Sequence, residues 1–313
     1  MVYESISIEL TKTCNLSCAY CYANAVNRKN AEIMPLPKLY AFFEKFRETG
    51  GRRILLTGGE VTLIPQIEEI ICEAKRVGLM VDLFTNGTMI TDRLAAFFSE
   101  NANLISVSLD GPELHHDRLR GVSGSYARTM EGLEKLYRHN AHIALQCMIT
   151  PDNIRNLDWL NDLKQQCIPM MIKLGHVSAM GRGRFQKSLM FQNYNELKEV
   201  AKQLSGTFNH YHTRILTNII SSDELKAFYP SFDAAISPWL LSDGQIIACY
   251  TYEQSQYWTI SNAEIYPEMM PESAEKVKLL AQRAYACAQK AEHFDLLQLL
   301  SETAEEIAKE KLK

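Results

Sequence analysis

The first half of the chain alternates between short apolar runs and longer amphipathic stretches. The short runs have the length and residue types of strands, and they cover 5–10, 53–57, 80–85, 104–109, 143–149 and 170–175. The stretches between them repeat apolar residues at helical spacing, and they lie near 36–49, 64–77, 90–99, 125–139 and 153–167. This alternation predicts parallel strands joined by right-handed crossovers. Six such units are fewer than the eight of a closed barrel, so we predict an α/β fold, an open partial (β/α)6 barrel with its site at the carboxyl ends of the strands.

The pattern changes after the segment AMGRGR, residues 179–184. A helix is expected near 194–206 and a strand within 212–220. The run PWLLSDGQIIACY, 238–250, predicts a hairpin because Asp-Gly between apolar runs favours a tight turn. From Pro271 onward the pattern is charged and helical. We therefore predict three parts, which are a barrel over 1–185, a small α+β extension over 186–270 and a helical tail over 271–313.

Composition narrows the class of protein. The chain has 313 residues and a formal net charge of −4, so no basic face predicts a nucleic-acid partner. No apolar run approaches the roughly 18 residues that span a membrane, and the first ten residues are too polar for a signal peptide. The eight cysteines are therefore expected in a reducing cytoplasm, where clustered thiols indicate metal binding or catalysis more often than disulfides.

Three of the cysteines follow the first predicted strand at the spacing C-x3-C-x2-C. Cys14, Cys18 and Cys21 can hold three irons of a [4Fe–4S] cluster and leave the fourth iron open. The spacing would also fit one face of a helix, but Asn15 and Ser17 favour a loop and the preceding segment is a strand. A structural zinc site needs a fourth ligand, and no further Cys or His lies close in sequence.

The segment CNLSCAYC resembles the signature of the radical S-adenosylmethionine (SAM) superfamily, in which an aromatic residue, here Tyr20, usually precedes the third cysteine. The resemblance implies that the open iron of one [4Fe–4S] cluster binds the amino and carboxylate groups of SAM. It implies that an electron from the cluster then cleaves SAM to a 5′-deoxyadenosyl radical. A reducing partner such as flavodoxin or ferredoxin is implied as well.

The end of the second predicted strand carries Gly58, Gly59 and Glu60. Glycines let a backbone approach a ligand, and a carboxylate can accept hydrogen bonds from an ammonium group. In the family this segment holds the amino group of SAM, so the resemblance assigns that role to Glu60. Val61 stands where the family often has proline, which is a departure from the pattern.

The ends of the third and fourth predicted strands add two candidates, and the segment HHDRLRG that follows adds a third. Asn86 and Ser108 suit turns on their own, and the resemblance implies that they line the SAM pocket, with Ser108 near the carboxylate or ribose. Arg120 alone would be interpreted as a solvated loop charge, and the resemblance implies that its planar guanidinium reaches the SAM carboxylate. We expect Glu60 and Arg120 to act on SAM and to contribute little to folding.

The segments HHDRLRGVSGSY, AMGRGR and SDGQIIAC resemble the branch of the superfamily with a SPASM or a shorter twitch extension, and the likeness covers roughly residues 5–260. That branch matures peptides and proteins by cross-linking, epimerising or oxidising residues. The implied function is hydrogen abstraction from a residue of a ribosomally made peptide. The alternatives are a radical SAM dehydrogenase or epimerase of a sugar or aminocyclitol, and a non-catalytic iron–sulfur redox sensor.

The branch pattern is reduced in the extension. Cys249 stands where a first auxiliary-cluster ligand is expected, but the usual C-x2-C-x2-C cassette is absent and only Cys287 follows. Two thiolates do not hold a cubane by themselves, so we expect a single cluster. Cys249 is then a core thiol, a ligand of a partial cluster, or the catalytic donor of a hydrogen atom to a substrate radical. We also expect no winged-helix peptide-recognition module before the barrel.

Overall fold

All six predicted strands are present, and their ends lie within one residue of the prediction. They are β1 Ser5–Glu9, β2 Arg53–Thr57, β3 Met80–Thr85, β4 Leu104–Ser108, β5 Ile143–Ile149 and β6 Met171–His176. The structure is a computed structural model that describes residues 3–163, 169–178, 180–191, 195–208, 214–217, 219–221, 238–247, 259–264, 266, 273–288 and 293–311. The apolar alternation therefore located this part of the sheet correctly.

Helices connect these strands and continue beyond them. They are α1 Leu36–Glu48, α2 Ile67–Arg76, α3 Asp92–Asn101, α4 Glu113–Arg120, α5 Ser125–Arg138, α6 Trp159–Leu163, α7 Asn195–Phe208, α8 Ser273–Ala288 and α9 Leu296–Lys311. The pattern did not predict α4, because its sequence ELHHDRLR is mostly polar. Pro112 precedes this helix, and Gly121 ends it in the left-handed conformation with φ 70°. The helix predicted over 153–167 is described only as the short α6.

The sheet is mainly parallel, which confirms the predicted α/β class. Strands β1 to β6 are neighbours in chain order, and β7 Arg214–Thr217 pairs with β6 in parallel. On the other edge, β9 Trp239–Leu240 pairs with β1, and β10 Gln245–Ile247 and β11 Thr259–Asn262 follow as antiparallel strands. The predicted hairpin is therefore present as β9–β10. A separate pair joins β8 Ile219–Ser221 to β12 His293–Asp295.

Alternation along the strands gives the sheet one apolar and one more polar face. Side chains such as Ile6, Leu56 and Leu83 pack with the helices in one core that includes Phe42 and Phe98. The intervening positions carry buried polar residues, among them Ser7, Glu9, Thr57 and Ser106. Chain segments from the predicted extension lengthen both edges of this sheet, and the division into three parts stays a prediction. No described helix has the length and apolarity needed to cross a membrane.

Candidate functional site: a thiol cluster at the strand ends

The three cysteines of the C-x3-C-x2-C segment lie in an irregular loop between β1 and α1. The segment is not helical, so the alternative of three thiols on one helical face is wrong. Cys14 and Cys18 are buried and Cys21 is half-buried. They share a small apolar cluster with side chains that include Leu16 and Val122. The loop therefore gathers all three thiols into one small apolar environment at the carboxyl end of β1.

The chemistry of the thiols suits a positively charged partner. Burial raises the pKa of Cys14 to about 12, and the nearby Glu60 carboxylate adds to this rise. Burial also raises the pKa of Cys18, which the Arg120 guanidinium partly offsets. Thiolates in such a site need the compensation that bound metal provides. Among the described residues, no group of three His, Cys, Asp or Glu side chains is close enough together to hold a single metal ion. A cubane cluster does not need such a group, because each of its thiolates binds a different iron.

Glu60 ties together the ends of β2 and β3. Its side chain is 1% exposed. Oε1 accepts hydrogen bonds from the Thr62 amide (3.1 Å) and from the hydroxyls of Thr62 and Thr85 (2.6 Å each). Oε2 accepts one from the Asn86 amide at 2.7 Å. Each oxygen of an ionised carboxylate has about two acceptor positions, so Oε2, which accepts one hydrogen bond, retains capacity for one further donor.

Gly58 and Gly59 serve a close backbone contact with the cysteine loop. A Cβ at Gly59 would lie 2.1 Å from the Thr13 carbonyl oxygen, and a Cβ at Gly58 would lie 2.4 Å from that of Thr11. The Gly59 amide donates to Thr11 at 2.6 Å and the Glu60 amide to Thr13 at 2.9 Å. The two glycines therefore seat the β2 turn directly on the strand that leads to the cysteines. The sequence predicted a close approach here, but to a ligand rather than to backbone.

Asn86, at the end of β3, connects to the cysteine loop through polar contacts. Its Nδ2 donates to Asn15 Oδ1 at 2.8 Å and lies 4.0 Å from Cys14 Sγ. Asn15 in turn donates to Thr88 at 2.8 Å. Ser108 ends β4 and is half-buried. The structure thus brings Asn86 beside the first cysteine, while the predicted contacts of Asn86 and Ser108 with SAM stay predictions.

Arg120 lies in a buried ion pair rather than in a solvated loop. Its Nε and Nη2 donate to the two carboxylate oxygens of Asp110 at 2.7 and 2.9 Å, and its Nη1 lies 3.8 Å from Cys18 Sγ. Tyr20 donates to Asp110 Oδ2 at 2.5 Å, and the guanidinium carbon lies 5.4 Å from the centre of the Tyr20 ring. A guanidinium has five N–H donors, and since two donate to Asp110 and one to Cys18 Sγ, two remain for a ligand.

Asp110 is the residue of this site that sequence reasoning missed. Burial is the largest influence and by itself would raise the pKa of its carboxyl group, but the Arg120 guanidinium, His116 and the Tyr20 hydroxyl together outweigh burial and the pKa is lowered. The Met148 amide also donates to Asp110 Oδ1, at 3.0 Å. The available signal was an acidic residue directly after the buried run LISVSL, which also fits an ordinary turn.

The remaining cysteines lie apart from this thiol cluster or fall outside the described residues. Cys249, the predicted hydrogen donor, lies outside the described residues. Cys287 is exposed on α8, and Cys147 is buried in β5. The prediction of a single cluster therefore stays a prediction.

The fold and this site define a class of protein, an α/β barrel domain with a three-thiol site at its strand ends. Residues 8–162 match the model of the Radical SAM superfamily, and the chain therefore contains a radical SAM domain. That family uses a [4Fe–4S] cluster and SAM. The recognition made from CNLSCAYC is thus confirmed.

Known proteins resemble this chain over different shares of their length. The sporulation killing factor maturation protein SkfB of Bacillus subtilis (strain 168) is 27% identical over 78% of this chain and 60% of its own. An AdoMet-dependent heme synthase of Oleidesulfovibrio alaskensis (strain ATCC BAA-1058 / DSM 17464 / G20) is 32% identical over 52% of this chain and 42% of its own. The chain thus covers less than two thirds of either relative. The structure of native anSMEcpe with bound AdoMet and the Cp18Cys peptide has a TM-score of 0.69 at 18% identity, over 98% of this chain and 97% of the other, and this shows a shared fold.

Proposed function

We propose that this protein uses one [4Fe–4S] cluster on Cys14, Cys18 and Cys21 to cleave SAM and to abstract hydrogen from a residue of a ribosomally made peptide. The observation that carries the proposal is the gathering of three thiols, two buried and one half-buried, beside a buried carboxylate and a buried guanidinium. When bound, the cluster supplies the electron that cleaves SAM. The protein binds and orients SAM and shields the radical from water.

The charges around the thiols suit the amino-acid end of SAM. The negative charge of Glu60 is close enough to Cys14 to raise the pKa of its thiol, and Arg120 Nη1 donates to Cys18 Sγ at 3.8 Å. In the proposal, Glu60 Oε2 accepts a hydrogen bond from the amino group of SAM, and the two remaining N–H groups of Arg120 donate to its carboxylate. Placed this way, the amino group would lie beside the negative charge of Glu60 and the carboxylate beside the positive charge of Arg120, and both groups would still be able to bind the open iron.

The other predicted contacts complete this proposed pocket. Asn86 and Ser108 would line it from the ends of β3 and β4. Gly58 and Gly59 would act by holding the β2 turn, and hence Glu60, against the cysteine loop. Tyr20 would act by fixing Asp110 and Arg120. Because Glu60 and Arg120 are buried and hydrogen-bonded, the expectation that they contribute little to folding no longer has a physical basis.

A peptide substrate is supported by what similar proteins are called. One relative is named a maturation protein, and one protein of the same fold was crystallised with a peptide. A relative of comparable identity is named a heme synthase, which favours a small-molecule substrate as the second candidate. A short precursor reading frame beside the gene would favour the peptide.

The fate of the substrate radical gives the test of this function. With Cys249 as donor, the radical regains a hydrogen atom and the peptide residue is epimerised. The reducing partner then returns an electron to the sulfur and solvent returns a proton. Because a thiol exchanges its hydrogen with solvent, we expect the peptide mass to stay unchanged in ordinary water and to rise by one deuterium in heavy water. Mass spectrometry of the precursor peptide after anaerobic turnover measures this.

The matched controls are two cysteine variants. Cys249→Ala is expected to keep SAM cleavage but to lose deuterium incorporation, while Cys287→Ala should behave like the wild type. A peptide that loses two hydrogens would show net oxidation and would remove Cys249 from its role. A peptide left unmodified while a small molecule is converted would support the second candidate.

A further inference from the structure

We propose that the segment Gly181–Arg182–Gly183, which follows β6, is a clamp on the cysteine loop and that Arg182 is a positioning residue for the cluster. This inference rests on the proposed cluster function. The segment belongs to AMGRGR, a motif to which no role in SAM or substrate binding has been assigned above.

Arg182 joins two distant points of the cysteine loop. Its Nε donates to the Cys18 carbonyl at 2.9 Å and its Nη1 donates to the Ala25 carbonyl at 2.7 Å. Its main-chain amide donates to the Cys21 carbonyl at 2.9 Å. The stretch between these carbonyls contains two of the three thiols, so one side chain fixes both ends of the stretch 18–25. A planar, permanently charged fork is suited to bridging two acceptors in this way.

The flanking glycines allow this contact to be close. Gly181 has φ 51°, and a Cβ there would lie 2.3 Å from the carbonyl oxygens of both Cys21 and Tyr22. At Gly183 a Cβ would lie 2.4 Å from the Ser178 carbonyl oxygen. Any larger residue would therefore push the segment away from the cysteines or distort its turn.

The clamp also joins the first and the last of the six parallel barrel strands at their carboxyl ends. β1 and β6 are separated by four strands in the sheet, a distance of about 24 Å if the sheet were flat. Contact between the loop after β6 and the loop after β1 therefore requires the sheet to curve until these loops meet. The cluster-binding loop is thus positioned by the closure of the partial barrel.

The cysteine loop needs such external support because it has little regular structure of its own. On its other side, the Ser17 and Ala19 amides donate to the carbonyls of Arg120 and Leu119, each at 3.0 Å. The loop is therefore held from two sides, by the end of α4 and by Arg182. Residues that orient metal ligands from outside the ligand shell typically change metal affinity by roughly 10–100-fold when they are replaced.

The test uses Arg182→Ala, Arg182→Lys and the matched control Arg184→Ala. The Arg184 guanidinium lies over the ring of Phe185, which is 70% exposed. After anaerobic reconstitution of the full chain, we expect iron release to a chelator to be roughly 10–100-fold faster in Arg182→Ala. The rate of iron release from Arg182→Lys should lie between those of the wild type and Arg182→Ala, because a single ammonium group lacks the planar fork of a guanidinium. Arg184→Ala should match the wild type.

Amide hydrogen exchange on the metal-free full-length chain is the second measurement. We expect faster exchange over residues 18–25 in both Arg182 variants, with exchange of β2 and β3 unchanged. Wild-type iron release or wild-type exchange of 18–25 in Arg182→Ala would overturn the clamp. A wild type that takes up no cluster would instead refute the proposed function, and the exchange measurement would still decide the clamp. If Arg182→Ala does not fold, Arg182→Lys decides the same comparison.

Discussion

Replacement of Cys14, Cys18 and Cys21 together by alanine should leave a chain that holds no [4Fe–4S] cluster after anaerobic reconstitution. The three thiols share one apolar cluster, and no other described cysteine lies with them. Without these thiolates, the site lacks the ligands that hold the irons of such a cluster. Iron and sulfide analysis should give about four irons per wild-type chain and none in the triple variant.

The control for this experiment is Cys287→Ala, which removes an exposed thiol on α8 and should retain the full iron content. A triple variant that still binds four irons would show that the cluster lies elsewhere. About eight irons in the wild type would contradict the expectation of a single cluster and would indicate that cysteines of the extension hold a second one.

The second large effect is expected at Asp110. Asp110→Asn leaves the buried Arg120 charge opposite a neutral amide, and breaking a buried ion pair in this way costs about 3–5 kcal/mol. We expect a loss of this size in the free energy of unfolding, measured by urea titration of the metal-free chain. The matched control is Asp92→Asn, which removes an exposed pair with Arg138 and should cost about 1 kcal/mol or less. Equal losses in the two variants would contradict the structural role of Asp110.

The Asp110–Arg120 pair also has a defined dependence on pH. The pKa of Asp110 is lower in the folded protein than its usual 3.8, so the pair stabilises the fold above that pH. This contribution is lost as the pH falls through the lowered value. The stability of Asp110→Asn should therefore lack this part of the acid dependence.

The strands of the barrel could be predicted because the signal for each strand lies in its own residues. Runs such as RILLT and MVDLFT carry enough apolar character to locate a strand without knowledge of its partners. Helix α4 could not be predicted, because its only strong signals are Pro112 before it and Gly121 after it. Nor could the pairing of β9 with β1 be predicted, since residues more than 200 positions apart in sequence form it.

The same holds for the site, where features set by a short stretch of sequence could be predicted and features set by contacts between distant segments could not. The thiol cluster followed from a spacing within eight residues. The environment of Arg120 could not be predicted from a local spacing. Its burial, its bidentate contact with Asp110 and its contact with the Cys18 sulfur arise only when three separate segments of the chain meet. Gly59 illustrates an intermediate case, in which the need for a close approach was evident but its partner was not.

Release of 5′-deoxyadenosine from SAM tests the central claim most directly. The reconstituted wild type should be incubated anaerobically with SAM and a one-electron reductant, beside the Cys14/Cys18/Cys21 triple alanine variant as the control. We expect 5′-deoxyadenosine from the wild type and none above background from the variant. A wild type that holds four irons and forms no 5′-deoxyadenosine, with or without a candidate peptide, or a variant that forms as much as the wild type, would contradict the account.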